Sequence, residues 1–179
     1  MGLSKNRLRS VLSEGNSVKK YFTMSELPPT GIQEQREKPK IELWMIDDSD
    51  AYSDSYRELL ASVDPTITFR TFDTARAAIE ELERRKGELV PFPHGIMVDG
   101  DLLKDQNPLF YGPVVIEKII AVAGDTILLI TNSANEQHNK NMIVYAGGNA
   151  KVIRHSKIQG SLEEDIKSVL ASVTEFIQK

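Results

Sequence analysis

The stretch Ile41–Asp48, IELWMIDD, decides how the rest of this chain is read. Its apolar run is broken only by Glu42, as in a strand covered on both faces of a parallel sheet, and it ends in two adjacent carboxylates, Asp47 and Asp48. Two later apolar runs stop in the same manner: GIMV leads into Asp99, and TILLI leads into Thr131. Polar groups at three strand ends fall where an open α/β sheet places its ligand site. Carboxylates gathered at such an edge hold a divalent cation, and one of them can become a nucleophile.

Outward from that strand, helical and extended patterns alternate. Tyr52, Tyr56, Leu59, Leu60 and Val63 recur on one helical face. Thr66–Phe72 is β-branched and aromatic, and Asp73 or Thr74 is placed to cap a helix with Ala75, Ala78, Ile79 and Leu82 inward. Gly87–Pro93 reads as loop and His94–Val98 as the third strand. A helix over Val114–Ala123, a turn at Gly124-Asp125 and a strand over Thr126–Ile130 follow. A weaker helix spans roughly Ala134–Tyr145, stopped by Gly147-Gly148, and Lys151–Ile153 is a short fifth strand. In the last helix Ser161 and Glu164 form a capping box, and Leu162, Ile166, Val169, Leu170, Val173 and Ile177 make the apolar stripe. Five strands separated by helices imply a parallel sheet covered on both faces, with right-handed crossovers bringing every strand C-terminus to one edge.

Composition narrows the class. With 179 residues, 40% of them apolar and 27% charged, and a net charge of −4, the chain is long enough for one real core plus an appendage. The absence of cysteine excludes a disulfide scaffold and thiolate-bound zinc, and fits a reducing compartment. No apolar run is long enough to span a membrane, MGLSKN lacks the hydroxyl at its sixth position that a myristoylation signal needs, and no signal core follows, so a cytoplasmic location is expected. Residues 1–40 carry eight Lys or Arg against four Glu, net +4, which leaves −8 on the other 139 residues. That first segment is read as a basic, partly helical or mobile extension with Leu3, Leu8, Val11 and Leu12 in a short helix, and residues 41–179 as the folded domain.

Within residues 41–179 the sequence resembles the receiver domain of two-component response regulators. An acidic pair follows strand one, a lone Asp strand three and a Thr strand four. Gly112-Pro-Val-Val-Ile-Glu-Lys-Ile is similar to that family's glycine-initiated third helix, and Ala146–Ala150, AGGNA, to its turn into strand five. The resemblance implies a flavodoxin-like doubly wound five-stranded parallel sheet of order 2-1-3-4-5. It also implies Mg²⁺ held by Asp48, Asp99 and the main-chain oxygen of Asp101, with Asp47 acting through water. Asp99 would accept a phosphoryl group from a histidine kinase or phosphotransfer protein, and Thr131 would bond a phosphoryl oxygen. Output would pass through the fourth helix, fifth strand and fifth helix, by partner contact or homodimerisation, with no nucleic acid bound directly.

Strand five departs from the family pattern of an aromatic, a lysine three residues on, and a proline. Counting from Ala146-Gly147 puts Lys151 at the aromatic, Arg154 at the lysine and His155 at the proline, so Arg154 and Lys151 are the expected phosphate-binding or switch residues. Arg keeps a cation but not the geometry of Lys. Lys157 lies about three residues too far along, and the loop from Leu103 to Tyr111 is longer than the family norm. Two alternatives share these residues. One is a pseudo-receiver that binds partners without phosphotransfer. The other is a haloacid-dehalogenase-type phosphatase, whose first motifs are similar to Asp99-Gly100-Asp101 and LLITN, with Asp101 as acid/base, although there the acidic pair lies downstream. His94, His138 and His155 show no ligand spacing and are read as structural or surface residues. No DNA-binding or enzymatic output domain follows the last helix, so either a stand-alone regulator or a piece of a longer protein is expected.

Overall fold

The computed structural model describes residues 40–103, 111–147, 151–155 and 161–179, all within one compact unit, Lys38–Lys179. The helix expected in the basic extension, most of the loop from Leu103 to Tyr111, the end of the turn into strand five and Lys157 lie outside the described residues. Strands and helices alternate: β1 Glu42–Ile46, α1 Asp50–Val63, β2 Thr68–Phe72, α2 Ala75–Glu88, β3 Gly95–Val98, α3 Gly112–Ala123, β4 Leu128–Asn132, α4 Glu136–Ala146, β5 Val152–His155 and α5 Leu162–Ile177. The strands form one parallel sheet of order β2-β1-β3-β4-β5. This is the flavodoxin-like arrangement expected from the sequence.

The sheet divides the core in two. Trp44, Ile46, Ile96, Val98 and Leu129 pack with residues of α2, α3 and α4, whereas Leu43, Met45, Met97 and Ile130 pack with residues of α1 and α5. Alternate residues of each strand therefore serve opposite layers, and the three inner strands are apolar on both faces. Glu42, the one charge in the first strand, is fully engaged. Its carboxylate accepts from Arg85 at 2.7 and 2.8 Å and from Trp44 Nε1 at 2.8 Å, while Arg85 stacks 4.8 Å from the Trp44 ring centre.

Local chemistry fixes the helix ends. Ser49, Thr74, Asn135 and Ser161 cap α1, α2, α4 and α5 by accepting from the N–H of Tyr52, Ala77, Gln137 and Glu164. Pro113 stands in the first turn of α3, where its missing N–H costs nothing. Several boundaries differ from expectation: α3 begins at Gly112 rather than Val114, and β5 runs over Val152–His155 rather than Lys151–Ile153, with smaller shifts at the ends of β2, β3 and α4. Helix α2 continues through Gly87 to Glu88 and ends on Leu89 in the left-handed region (φ 56°), because no breaker stands at the position where the turn occurs. Strand β4 begins at Leu128 and runs on to Asn132, since pairing with β5 continues beyond the apolar run to Thr131 and Asn132. Among the described residues no helix is long and apolar enough to cross a membrane.

Candidate functional site

Parallel pairing aligns the strand ends. Ile46, Val98, Thr131 and Arg154 form one row across β1, β3, β4 and β5. One residue further along stand Asp47, Asp99, Asn132 and His155, with Asn132 and His155 still paired. The Asp99 N–H donates to Ile46 O at 2.9 Å and that of Asp47 to Phe72 O at 3.0 Å, so the ladder extends past the strands proper. Pleat alternation sends the two rows to opposite layers. Asn132 accepts from the Tyr52 hydroxyl of α1 at 3.3 Å, and His155 Nε2 is 3.9 Å from Asp165 of α5. Arg154, in the other row, meets Glu136 of α4 at 3.4 Å.

Asp47, Asp48 and Asp99 converge: each offers a carboxylate oxygen, and the three atoms lie within 4.8 Å of one another. Asp47 and Asp99 are buried, and Asp48 is half-buried. Main-chain donors hold each of them. Ser49 N–H bonds Asp47 Oδ1 at 2.9 Å, Leu103 N–H bonds Asp48 Oδ2 at 2.7 Å, and Gly100 N–H bonds Asp99 Oδ1 at 2.7 Å. An octahedral Mg²⁺ keeps its oxygens about 2.1 Å away and hence roughly 3 to 4.2 Å apart, so this all-oxygen trio fits that ion after small side-chain movements. Gathering buried carboxylates is costly unless a cation or hydrogen bonds compensate them, and the trio has the ligand chemistry for the former.

Behind Asp99 the backbone is crowded. A Cβ on Gly112 would come within 2.6 Å of Asp99 O, and one on Gly100 within 2.6 Å of His138 Cβ, so the start of α3 sits directly against the turn after β3. Thr131 has no exposed surface, and its Oγ1 makes no hydrogen bond among the described residues. Asp101 is exposed and stands apart from the trio; its Oδ1 lies 3.1 Å from His138 Nδ1 of α4, without hydrogen-bond alignment.

The structure does not bring Lys151 to this edge. It precedes β5 at the opposite end of the sheet, where its Nζ rests 4.6 Å from the centre of the Phe176 ring. Arg154 shares Thr131's row, but its exposed guanidinium turns to α4. Beside Asn132, in the row that continues from Asp99, stands the buried His155. Arg154 thus stands one residue before the row that Asp99 occupies.

No protein-family model matches the sequence, and no curated protein matches it. Solved structures do. A CheY-like response regulator receiver domain from Methanospirillum hungatei JF-1 aligns with a TM-score of 0.59 at 14% identity, over 77% of this chain and 97% of that one. This chain has the receiver-domain fold. The response regulator domain of Thermotoga maritima CheB aligns at TM-score 0.55 and 16% identity, over 78% and 97%. The receiver domain of a LuxO-type repressor from Vibrio parahaemolyticus gives 0.55 and 19%, over 78% and 93%.

Within this receiver fold, the row of Asp99 also holds Asn132 and His155, and Tyr52 of α1 bonds Asn132, a grouping the sequence did not reveal. Tyr52 was legible only as one member of an apolar helix face, and Asn132 only as the tail of a strand. Burial raises the Tyr52 phenol far above its usual range; the bond to Asn132 opposes this, and the charges of Asp47, Asp165 and Asp99 add to it.

Proposed function

We propose that this domain is a phosphorelay receiver that accepts a phosphoryl group on Asp99 from a histidine kinase or phosphotransfer protein. The observation that carries the reading is the convergence of Asp47, Asp48 and buried Asp99 beside Thr131, whose hydroxyl is buried and unpartnered. Asp48, Asp99 and the main-chain oxygen of Asp101 would hold Mg²⁺, with Asp47 acting through water. Bound there, the ion neutralises charge on the phosphoryl oxygens.

The protein's own residues supply the rest. The Asp99 carboxylate is oriented by the Gly100 N–H and attacks phosphorus; a P–O bond forms on Asp99 while the donor's P–N bond breaks and the donor imidazole takes up a proton. Thr131 then satisfies its hydroxyl on a phosphoryl oxygen, a local change that can draw the start of α4 toward the site. Output is by protein contact. Ile143, Val144 and Tyr145 on α4 are exposed apolar groups suited to a partner or a second copy. The domain is a signalling element that assists its own modification, working in the cytoplasm where its donor kinase presents phosphohistidine.

Asp101 stands outside the carboxylate trio, which favours an acceptor over a phosphatase with Asp101 as acid/base. A pseudo-receiver draws its support from Lys151 and Arg154, neither of which is directed at Asp99. One experiment separates these readings. Intact mass is measured after incubation with Mg²⁺ and acetyl phosphate, for wild type and Asp99→Asn. A single acid-stable, base-labile phosphate in wild type alone supports the receiver. No gain from any donor supports the pseudo-receiver, and steady hydrolysis that disappears in Asp101→Asn supports the phosphatase.

A further inference from the structure

Asn132 is the residue that the phosphorelay reading leaves without a purpose. It has no exposed surface, and its Nδ2 makes no hydrogen bond among the described residues, a costly state for an amide that could have been any apolar residue. Its other end is engaged: Oδ1 accepts from the Tyr52 hydroxyl at 3.3 Å. The phenol donates its O–H to that oxygen, so the amide presents its N–H₂ group elsewhere. Adjacent strands run about 4.8 Å apart, so Asn132 on β4 is the direct lateral neighbour of Asp99 in the row beyond Val98 and Thr131.

We infer that Asn132 is a donor to the phosphoryl group on Asp99: its Nδ2 bonds a phosphoryl oxygen from the α1 and α5 side of the sheet, while Tyr52 positions the amide. This rests on the phosphorelay reading and assigns a contact within that site. Thr131 and Asn132, consecutive on β4, then hold one anion from opposite faces. The arrangement needs no cation from the Arg154 position, which is spent on Glu136. A neutral donor pre-aimed into a buried site stabilises developing negative charge without reorganisation.

The test uses the full chain with Mg²⁺ and acetyl phosphate, comparing wild type, Asn132→Ala, Tyr52→Phe and the double variant. Phosphorylation rate and acyl phosphate lifetime are followed by intact mass, Mg²⁺ affinity by calorimetry and folding by thermal melting. Asn132→Ala is expected to slow phosphorylation roughly 10- to 100-fold with Mg²⁺ affinity within about threefold of wild type, on the scale of losing one anion donor. Tyr52→Phe should cost several-fold, and the double variant should be no slower than Asn132→Ala, because the hydroxyl acts through the amide. Wild-type rates in Asn132→Ala overturn the inference and leave the receiver reading standing. A wild-type protein that binds Mg²⁺ yet gains no phosphate overturns both. Should Asn132→Ala lose its cooperative melt, Tyr52→Phe decides, and an unchanged rate there overturns the inference.

Discussion

Arg154 pairs with Thr131 in the ladder between β4 and β5, yet its guanidinium points to Glu136 of α4, 3.4 Å away and largely in solvent. A cation bound to an exposed carboxylate on another helix contributes little to an anion bound at Asp99. Arg154→Gln is therefore expected to change the rate of Asp99 phosphorylation less than threefold. Time-resolved intact mass with acetyl phosphate checks this, and a drop of tenfold or more would restore Arg154 to the site.

The carboxylate trio implies that Mg²⁺ stabilises the fold. At a concentration about 100 times its dissociation constant, a ligand of the native state adds roughly 2.7 kcal/mol, a rise in Tm of about 5 to 10 °C for a domain of this size. Asp48→Asn keeps an acceptor for the Leu103 N–H but loses a charge from the trio. Its melting temperature should respond to Mg²⁺ by less than a third of the wild-type shift. An equal shift in both proteins would place the ion elsewhere.

On the opposite side of the sheet, Glu42 and Arg85 form a two-pronged pair that is largely shielded from water. Burial works against the Glu42 charge, but hydrogen bonds from Arg85 and Trp44 and the charges of Arg85 and Arg70 more than offset it, holding the carboxyl below its usual range. A depressed folded-state value means stability that is complete above the unfolded pKa, about 4.3, and is lost as pH falls through the folded value. Arg85→Ala should cost about 2 to 3 kcal/mol at pH 7 by stranding the shielded carboxylate. The penalty should shrink below pH 4, where Glu42 in the variant protonates; urea titrations at pH 7 and 3.5 measure both.

The end of α2 contains a correctable fault. Leu89 takes the left-handed conformation that favours glycine and is 90% exposed, whereas Gly87 lies inside the helix where an added Cβ would meet nothing within 4 Å. Leu89→Gly and Gly87→Ala should each stabilise by about 0.5 to 1 kcal/mol. Together they should raise Tm by roughly 3 to 6 °C without altering Mg²⁺ binding. A decrease in the double variant would show that Leu89 packs on something other than solvent.

The sheet and its carboxylates were readable because their causes are local. Apolar runs buried on both faces, caps at Thr74 and Ser161, and carboxylates just past Ile46 and Val98 leave marks in neighbouring residues. What escaped reading depends on register. Whether Arg154 or His155 stands in the row of Asp99 turns on a single step along β5, and a count from a glycine turn cannot settle one step. Tyr52 and Asn132 were hidden for a related reason: a tyrosine on an apolar stripe and an asparagine at a strand end acquire a role only when α1 crosses β4, 80 positions apart in sequence.

Consecutive residues of a strand cannot face the same way, and this gives the site two mechanical addresses. Thr131 belongs with the layer of α3 and α4, Asn132 with the layer of α1 and α5. A single covalent event on Asp99 that engages both is felt as tension on each side of the sheet at once, so a partner docked on either helical layer could read the same message, and two partners could read it together.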